Sequence, residues 1–282
     1  MQDSTGLPDV VDPVVVVAFE GWNDAGDAAT GVIDHLLHAW SGELIEEMDP
    51  EDYYDFQVNR PTISYGDEGD RAISWPTTRL YVARPVGADH DVLLIRGLEP
   101  NMRWQGYCDE LLTWIDRFGA TMVLTLGALL SDAPHTRPVP VTGHTSDTAV
   151  STALDLDPSR YEGPTGINGV FADAVSRSGV PCVSLWAAVP HYVAQPPCPK
   201  ATLALLGRLE EVLQTPLPLG ELVEEARAWE RGVDELSRED AEIAEYVEAL
   251  EEARDTSELP EASGEAIARE FERYLKRRNH DD

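Results

Sequence analysis

Val14-Val15-Val16-Val17-Ala18-Phe19, followed at once by Glu20-Gly21-Trp22-Asn23-Asp24-Ala25-Gly26-Asp27, is the stretch on which the fold turns. Six consecutive apolar residues are too few to span a membrane, and their lack of polar alternation describes a strand covered on both faces. A glycine-bearing turn and an amphipathic segment come next: residues 27–40 place Ala28, Val32, Leu36 and Leu37 on one helical face. The same unit returns along the chain. Asp91-Val92-Leu93-Leu94-Ile95, Thr121-Met122-Val123-Leu124-Thr125-Leu126 and Cys182-Val183-Ser184-Leu185-Trp186-Ala187 read as further strands, with helical stretches at 104–118, 169–178 and 202–213. Strand and helix alternating in this way predict an α/β fold, a parallel sheet sandwiched by helices.

Outside these units the pattern changes. Residues 73–76 and 78–83 are expected to form a hairpin or an antiparallel edge. Residues 131–163 are long, rich in Pro, Thr and Ser, and weakly patterned; they read either as a lid or as a surface excursion. From Pro216 the composition turns strongly charged. Helices at 219–236 and 240–253 carry narrow apolar stripes, through Leu222, Ala226, Trp229, Val233 and Leu236 and through Ile243, Val247 and Leu250. They are expected to form a hairpin that folds back on the body or on a partner. A linker at 256–263 and a last amphipathic helix at 264–278 follow. The division expected is residues 1–215 and 216–282, with no internal repeat.

The 282 residues are 43% hydrophobic and carry a formal net charge of −31. So negative a surface repels nucleic-acid phosphates and anionic lipid, which excludes nucleic acid and membranes as partners. The basic residues are nearly all arginine, with lysine only at 200 and 276, which points to a GC-rich genome rather than a high-salt cytoplasm. Cys108, Cys182 and Cys198 are scattered and form no CxxC pair, so neither a disulfide framework nor a zinc site is expected. Buried thiols in a reducing compartment fit, and residues 1–13 lack a basic leader, so the expected location is the cytoplasm.

In open parallel sheets, ligands bind beyond the carboxyl ends of the strands. Four strand ends offer Gly21, Asn23 and Asp24; Gly97 and Glu99; Gly127; and His191. The segment Tyr161-Glu162-Gly163-Pro164-Thr165-Gly166-Ile167-Asn168-Gly169 adds Thr165, Gly166 and Asn168 at a helix start, where free N–H groups point outward. These ten residues form the candidate ligand site, and Gly21, Asn23, Gly97, Gly127, Gly166, Asn168 and His191 are expected to converge at one end of the sheet. A tight structural turn is the other reading of the 161–169 segment. Asp24 and Asp27 would oppose a phosphate; capping the following helix is their alternative role. The first turn lacks both GxGxxG spacing and a Walker lysine. There is no GxSxG elbow, and His35 and His38 lack the HExxH arrangement. His135 and His144 are too far apart for a local metal motif. His191 is the one acid/base candidate, with a structural role as its alternative; no catalytic set, metal or cofactor is assigned.

At these same segments the chain resembles the PAC2 family, the proteasome assembly chaperone 2 superfamily, in its actinobacterial branch. The matching stretches are Phe19-Glu20-Gly21-Trp22-Asn23-Asp24-Ala25-Gly26, Gly97-Leu98-Glu99-Pro100, Leu126-Gly127-Ala128-Leu129, Tyr161 through Ile167, and Pro190-His191-Tyr192. They span about residues 12–215, and Glu162-Gly163-Pro164-Thr165-Gly166 is the most specific of them. The resemblance implies a three-layer α/β/α sandwich similar to the nucleoside phosphorylases, without implying their activity. It also implies self-association, with a trimer expected, and proteasome subunits as partners. Family chaperones often end in a hydrophobic-Tyr-any tail, whereas this chain ends Arg278-Asn279-His280-Asp281-Asp282 with Tyr274 internal. Docking by such a tail is therefore not expected. The function expected is a non-enzymatic, oligomeric partner-binding or proteasome-related assembly factor with a pocket at the strand ends. The alternatives are a nucleoside-like small-molecule enzyme, in which residues 131–163 close over the substrate, and a metabolite sensor.

Overall fold

The computed structural model describes residues 8–66, 69–156, 158–193 and 195–258. In chain order run β1 (Val14–Glu20), α1 (Ala28–Trp40), β2 (Glu43–Glu47), β3 (Thr62–Tyr65), β4 (Arg71–Ser74), β5 (Arg79–Ala83), β6 (Val92–Leu98), α2 (Trp104–Phe118), β7 (Met122–Ser131), β8 (Val141–Thr145), α3 (Thr148–Leu154), α4 (Ile167–Ser178), β9 (Cys182–Pro190), α5 (Pro199–Leu213), α6 (Leu222–Glu239) and α7 (Ala241–Glu258).

Seven strands form one sheet in the order β2-β5-β6-β1-β7-β9-β8. The four apolar runs are its parallel centre: β1 pairs with β6 and β7, and β7 with β9. Successive residues of β1 point to opposite faces, so an unbroken apolar run feeds two cores at once. Val16 and Ala18 join Val32, Ile33, Leu36, Leu205 and Leu209 beneath α1 and α5. Val15, Val17 and Phe19 join Tyr107, Leu111, Ile167 and Phe171 beneath α2 and α4. Helices on both faces make the three-layer sandwich that the alternation implied.

The edges are antiparallel, with β5 and β2 on one flank and β8 on the other. Residues 78–83 do lie on an antiparallel edge, as β5 beside β6. Residues 73–76 form no hairpin with them: Arg71–Ser74 pairs instead with Thr62–Tyr65, in a separate two-stranded ribbon. The segment 131–163 is also more ordered than its composition implied. It contributes β8 to the sheet, and Val150 and Leu154 of α3 pack on the α1/α5 core, where Leu156 is buried. A segment pinned in this way along 141–156 is part of the body rather than a free lid.

The charged helices fold back on the body. Leu222 of α6 joins the α1/α5 core, while Ala226 and Val233 of the same helix are also buried. Helix α7 runs to Glu258, so the first three residues of the expected linker, 256–258, are helical; its remainder and the helix expected at 264–278 lie outside the described residues. Among the described residues no helix is long and apolar enough to cross a membrane.

Candidate functional site

The C-terminal ends of β1, β6 and β7 are joined by side chains from loops far apart in sequence. Gly21 stands at φ +124°, a conformation that favours glycine, and a Cβ there would meet Glu99 Cβ at 3.3 Å. The turn it makes carries Asn23 inward, where 2% of the residue is exposed. The Asn23 carbonyl accepts from Ala128 N–H at 2.8 Å, tying the loop to β7. Its Nδ2 donates to Glu99 Oε1 at 2.9 Å. The same oxygen accepts from Ile167 N–H at 2.8 Å, at the first residue of α4. A helix N-terminus favours an anion, and here the anion is the chain's own Glu99 carboxylate. Gly166 lies against this network so closely that a Cβ would fall 2.4 Å from both Asn23 amide atoms. Asn168 donates to Leu126 O at 2.7 Å, and its buried Oδ1 has no hydrogen-bond partner among the described residues.

The N-terminus of α1 is filled in the same way. Asp24 accepts from Ala29 N–H at 2.6 Å and from the backbone N–H and hydroxyl of Thr30. It is the capping residue; Asp27, the other aspartate proposed for that role, makes no side-chain cap. Burial is the dominant influence on the Asp24 carboxyl and pushes it from 3.8 up to about 6, against the hydrogen bonds that favour its charged form.

The structure thus brings Gly21, Asn23, Asp24, Glu99, Gly166 and Asn168 together. Gly97 lies below them in the α2-side core, where a Cβ would meet Thr78 and Phe19. Gly127 is covered by the Trp186 ring of β9. Thr165 is exposed, its hydroxyl directed to the Gly166 carbonyl at 3.4 Å. His191 belongs to a different cluster, because β7 and β9 run on together as far as Ser131 and Pro190 and lift it away from Asn23. Its side chain is 44% exposed, with Nδ1 3.3 Å from Asp132 and its ring edge-on to Tyr192 and Tyr246.

Beside it lies His135, which the sequence reading considered only as a metal ligand. It is 1% exposed, with Nδ1 2.8 Å from Tyr192 Oη and Nε2 3.2 Å from Asp234 of α6. Tyr192 also accepts from His135 N–H at 2.7 Å. Burial raises the Tyr192 phenol to about 12, so it stays protonated at neutral pH. Arg137 extends the attachment by pairing with Glu251 and Asp255 of α7, and Tyr246 donates to Asp132 at 3.0 Å. This cluster fastens the C-terminal hairpin to the sheet. A cavity of about 280 Å³ opens next to it, lined by Leu129, Pro138, Pro140 and Trp186, among others.

Burial raises the Cys108 and Cys182 thiols to about 12 and also raises Cys198, which keeps all three protonated at neutral pH and poor as nucleophiles. Among the described residues no three His, Cys, Asp or Glu side chains are grouped to hold a metal ion.

Comparison with known proteins adds the family. The model of the PAC2 family matches residues 18–237. A PAC2 family protein from Streptomyces avermitilis is 58% identical, with a TM-score of 0.80, over 84% of this chain and 100% of its own. A proteasome-assembly chaperone homologue from Mycobacterium tuberculosis is 54% identical, with a TM-score of 0.76, over 83% of this chain and 99% of its own. An archaeal proteasome activator from Pyrococcus furiosus shares the fold at 14% identity, with a TM-score of 0.65, over 82% of this chain and 96% of its own. No curated protein matches.

Proposed function

The chain belongs to the PAC2 family, and from that premise we propose that it is a non-enzymatic, self-associating factor that binds proteasome subunits and acts in their assembly. The observation that carries this reading is the near full-length likeness to a proteasome-assembly chaperone homologue. The strand ends support it. Glu99 occupies the N-terminus of α4 and Asp24 that of α1, so the positions that would hold a ligand's phosphate already hold carboxylates. The reading places the protein in the cytoplasm, where its three free cysteines stay reduced.

The experiment is affinity purification of the tagged protein from its native host, with mass spectrometry for proteasome core subunits. Assembly of those subunits, expressed separately, is then followed with and without the protein. Co-purification and an altered assembly rate are expected; neither occurring would defeat the proposal. One observation favours a small-molecule site instead, the buried Asn168 Oδ1, which has no partner among the described residues. Thermal-shift assays with nucleosides, nucleotides and inorganic phosphate test it, and a concentration-dependent rise in melting temperature would support it.

A further inference from the structure

Helices α6 and α7 are held to the body in different ways. From α6, Leu222 enters the α1/α5 core, Trp229 packs against it, and Ala226 and Val233 are buried. Lys200 pairs with Glu230 of the same helix at 2.9 Å, and His135 Nε2 lies 3.2 Å from Asp234. Among the described residues of α7, no side chain enters either core and Val247 alone is buried. What ties α7 down is mostly polar. Glu251 accepts from the Thr136 hydroxyl, Arg137 pairs with Glu251 at 3.1 Å and with Asp255 at 2.9 Å, and Tyr246 donates to Asp132 at 3.0 Å. Partly exposed pairs of this kind contribute little each. The helix also brings seven carboxylates and one arginine to a chain whose net charge is −31, so long-range repulsion opposes its attachment.

The surface that α7 covers is distinctive. Tyr246 stands edge-on to the rings of His191 and Tyr192, with centroids 5.4 and 5.9 Å away. Arg254 helps to wall the cavity beside them, together with Leu129, Pro140 and Trp186. Pro190-His191-Tyr192 lies within the region matched to the family, which ends at residue 237, whereas α7 begins at Ala241. A segment beyond the matched fold thus covers a stretch that belongs to it. Between the two helices stands one extended residue, Asp240, at φ −119° and ψ 109°. A change in its dihedrals alone swings α7 clear while α6 keeps its anchors.

We propose that α7 is a strap that opens as a unit about Asp240, with α6 and the sheet still folded, and so controls access to the His191–Tyr192 corner and the cavity beside it. Elements with few buried apolar contacts open at far lower free energy than the whole fold. The closed position is specified by one helix face, because Val247, Glu251 and Asp255 recur at a spacing of four and the last two meet Arg137. Val247 therefore faces the body and is a reporter of opening.

The test is thiol labelling of the full chain carrying Val247→Cys, with dithionitrobenzoate at pH 8. The three native cysteines are buried and serve as the internal control for unfolding of the body. The introduced thiol should react at least about 100-fold faster than the native three. Adding Arg137→Ala should speed it roughly tenfold more and leave the native three unchanged. A second measurement needs no introduced cysteine: hydrogen exchange of the starting chain should be faster in residues 243–256 than in 222–233. Arg137→Ala should then raise exchange at residues 191–193 as well. A thiol at 247 that reacts no faster than the native three would overturn the strap, since α7 would then leave only with the whole fold. Equal acceleration of all four thiols by Arg137→Ala would overturn it too. So would unchanged exchange at 191–193, because α7 would then loosen without uncovering the corner.

Discussion

Asp24→Asn isolates the energetic consequence of filling a helix N-terminus with a buried carboxylate. Asp24 is 4% exposed, and its carboxyl is raised from 3.8 to about 6, with burial as the main cause. Between these two values the folded state holds the proton that the unfolded chain releases. Stability therefore falls as pH rises through that window, the reverse of a salt-bridged aspartate. The penalty is absent below 3.8 and complete above about 6. At about 1.4 kcal/mol per pH unit it reaches about 3 kcal/mol at pH 7, with about half already present at pH 5. Asparagine is nearly isosteric. Its Oδ1 can still accept from Ala29 N–H, and its amide can donate to the Thr30 hydroxyl that now donates to Asp24. The assay is urea unfolding of both proteins from pH 5 to 7.5, above the isoelectric point of about 4.3. The overall charge acts on both alike and cancels in the difference. The Asp24→Asn chain should be the more stable at pH 7.5, with an advantage that shrinks by roughly 1–1.5 kcal/mol at pH 5. A difference independent of pH, or a variant less stable at pH 7.5, would refute the reasoning and make the charged cap favourable.

Glu99→Ala should destabilise by about 2–4 kcal/mol, since it strands the buried Asn23 amide and the Ile167 N–H. Glu99→Gln keeps an acceptor for both and should lose less than half as much in the same urea titration. Gly127→Ala puts a Cβ 2.6 Å from the Trp186 ring, so a loss of about 1–3 kcal/mol should accompany a changed tryptophan emission. His191→Ala removes a 44% exposed side chain and its exposed contact with Asp132, so thermal unfolding should show less than about 1 kcal/mol of change. A loss of several kcal/mol there would mean that His191 carries the hairpin attachment assigned above to His135.

The centre of the fold was legible because parallel strands buried on both faces must be apolar at every position, and few other structures require that of six residues in a row. The edges were not. Strand β2 is Glu43-Leu44-Ile45-Glu46-Glu47 and β8 is Val141-Thr142-Gly143-His144-Thr145; edge strands facing solvent need no apolar run, and charge there is an advantage. The β3–β4 arm did leave a signal, since Thr62-Ile63-Ser64-Tyr65 and Arg71-Ala72-Ile73-Ser74 alternate on either side of a turn containing Gly66 and Gly69. At the site, Asp24 could be read as a cap because its donors lie five and six residues on. Glu99 could be named only as a residue at a strand end. Its two partners, 76 and 68 residues away, meet it through the register of β1 with β6 and the placement of α4. His135 left no pattern, because a polar side chain in a proline-rich loop reads as solvated until α6 arrives with Asp234.

What the strand ends hold bears on where function sits. In an open parallel sheet the loops beyond the strands are free to face a ligand, and helix N-termini opening there are its anion sites. Here the same loops turn inward: Asn23, Glu99 and Ile167 satisfy one another, and Asp24 is spent on α1. Such bonds fix the relative positions of β1, β6, β7 and α4 more firmly than apolar contact, which is tolerant of sliding. The two projecting features leave from the rim of this fixed platform, the arm beside the end of β6 through Asn101 and the α6–α7 hairpin beyond β7 and β9 through His135. A binding surface built from separated projections keeps its geometry only if the platform between them does not flex. On this reading Glu99 acts on partner recognition at a distance, as a positioning residue. Glu99→Ala should therefore weaken co-purification of proteasome subunits, and Glu99→Gln, which keeps an acceptor for Asn23 and Ile167, should restore it.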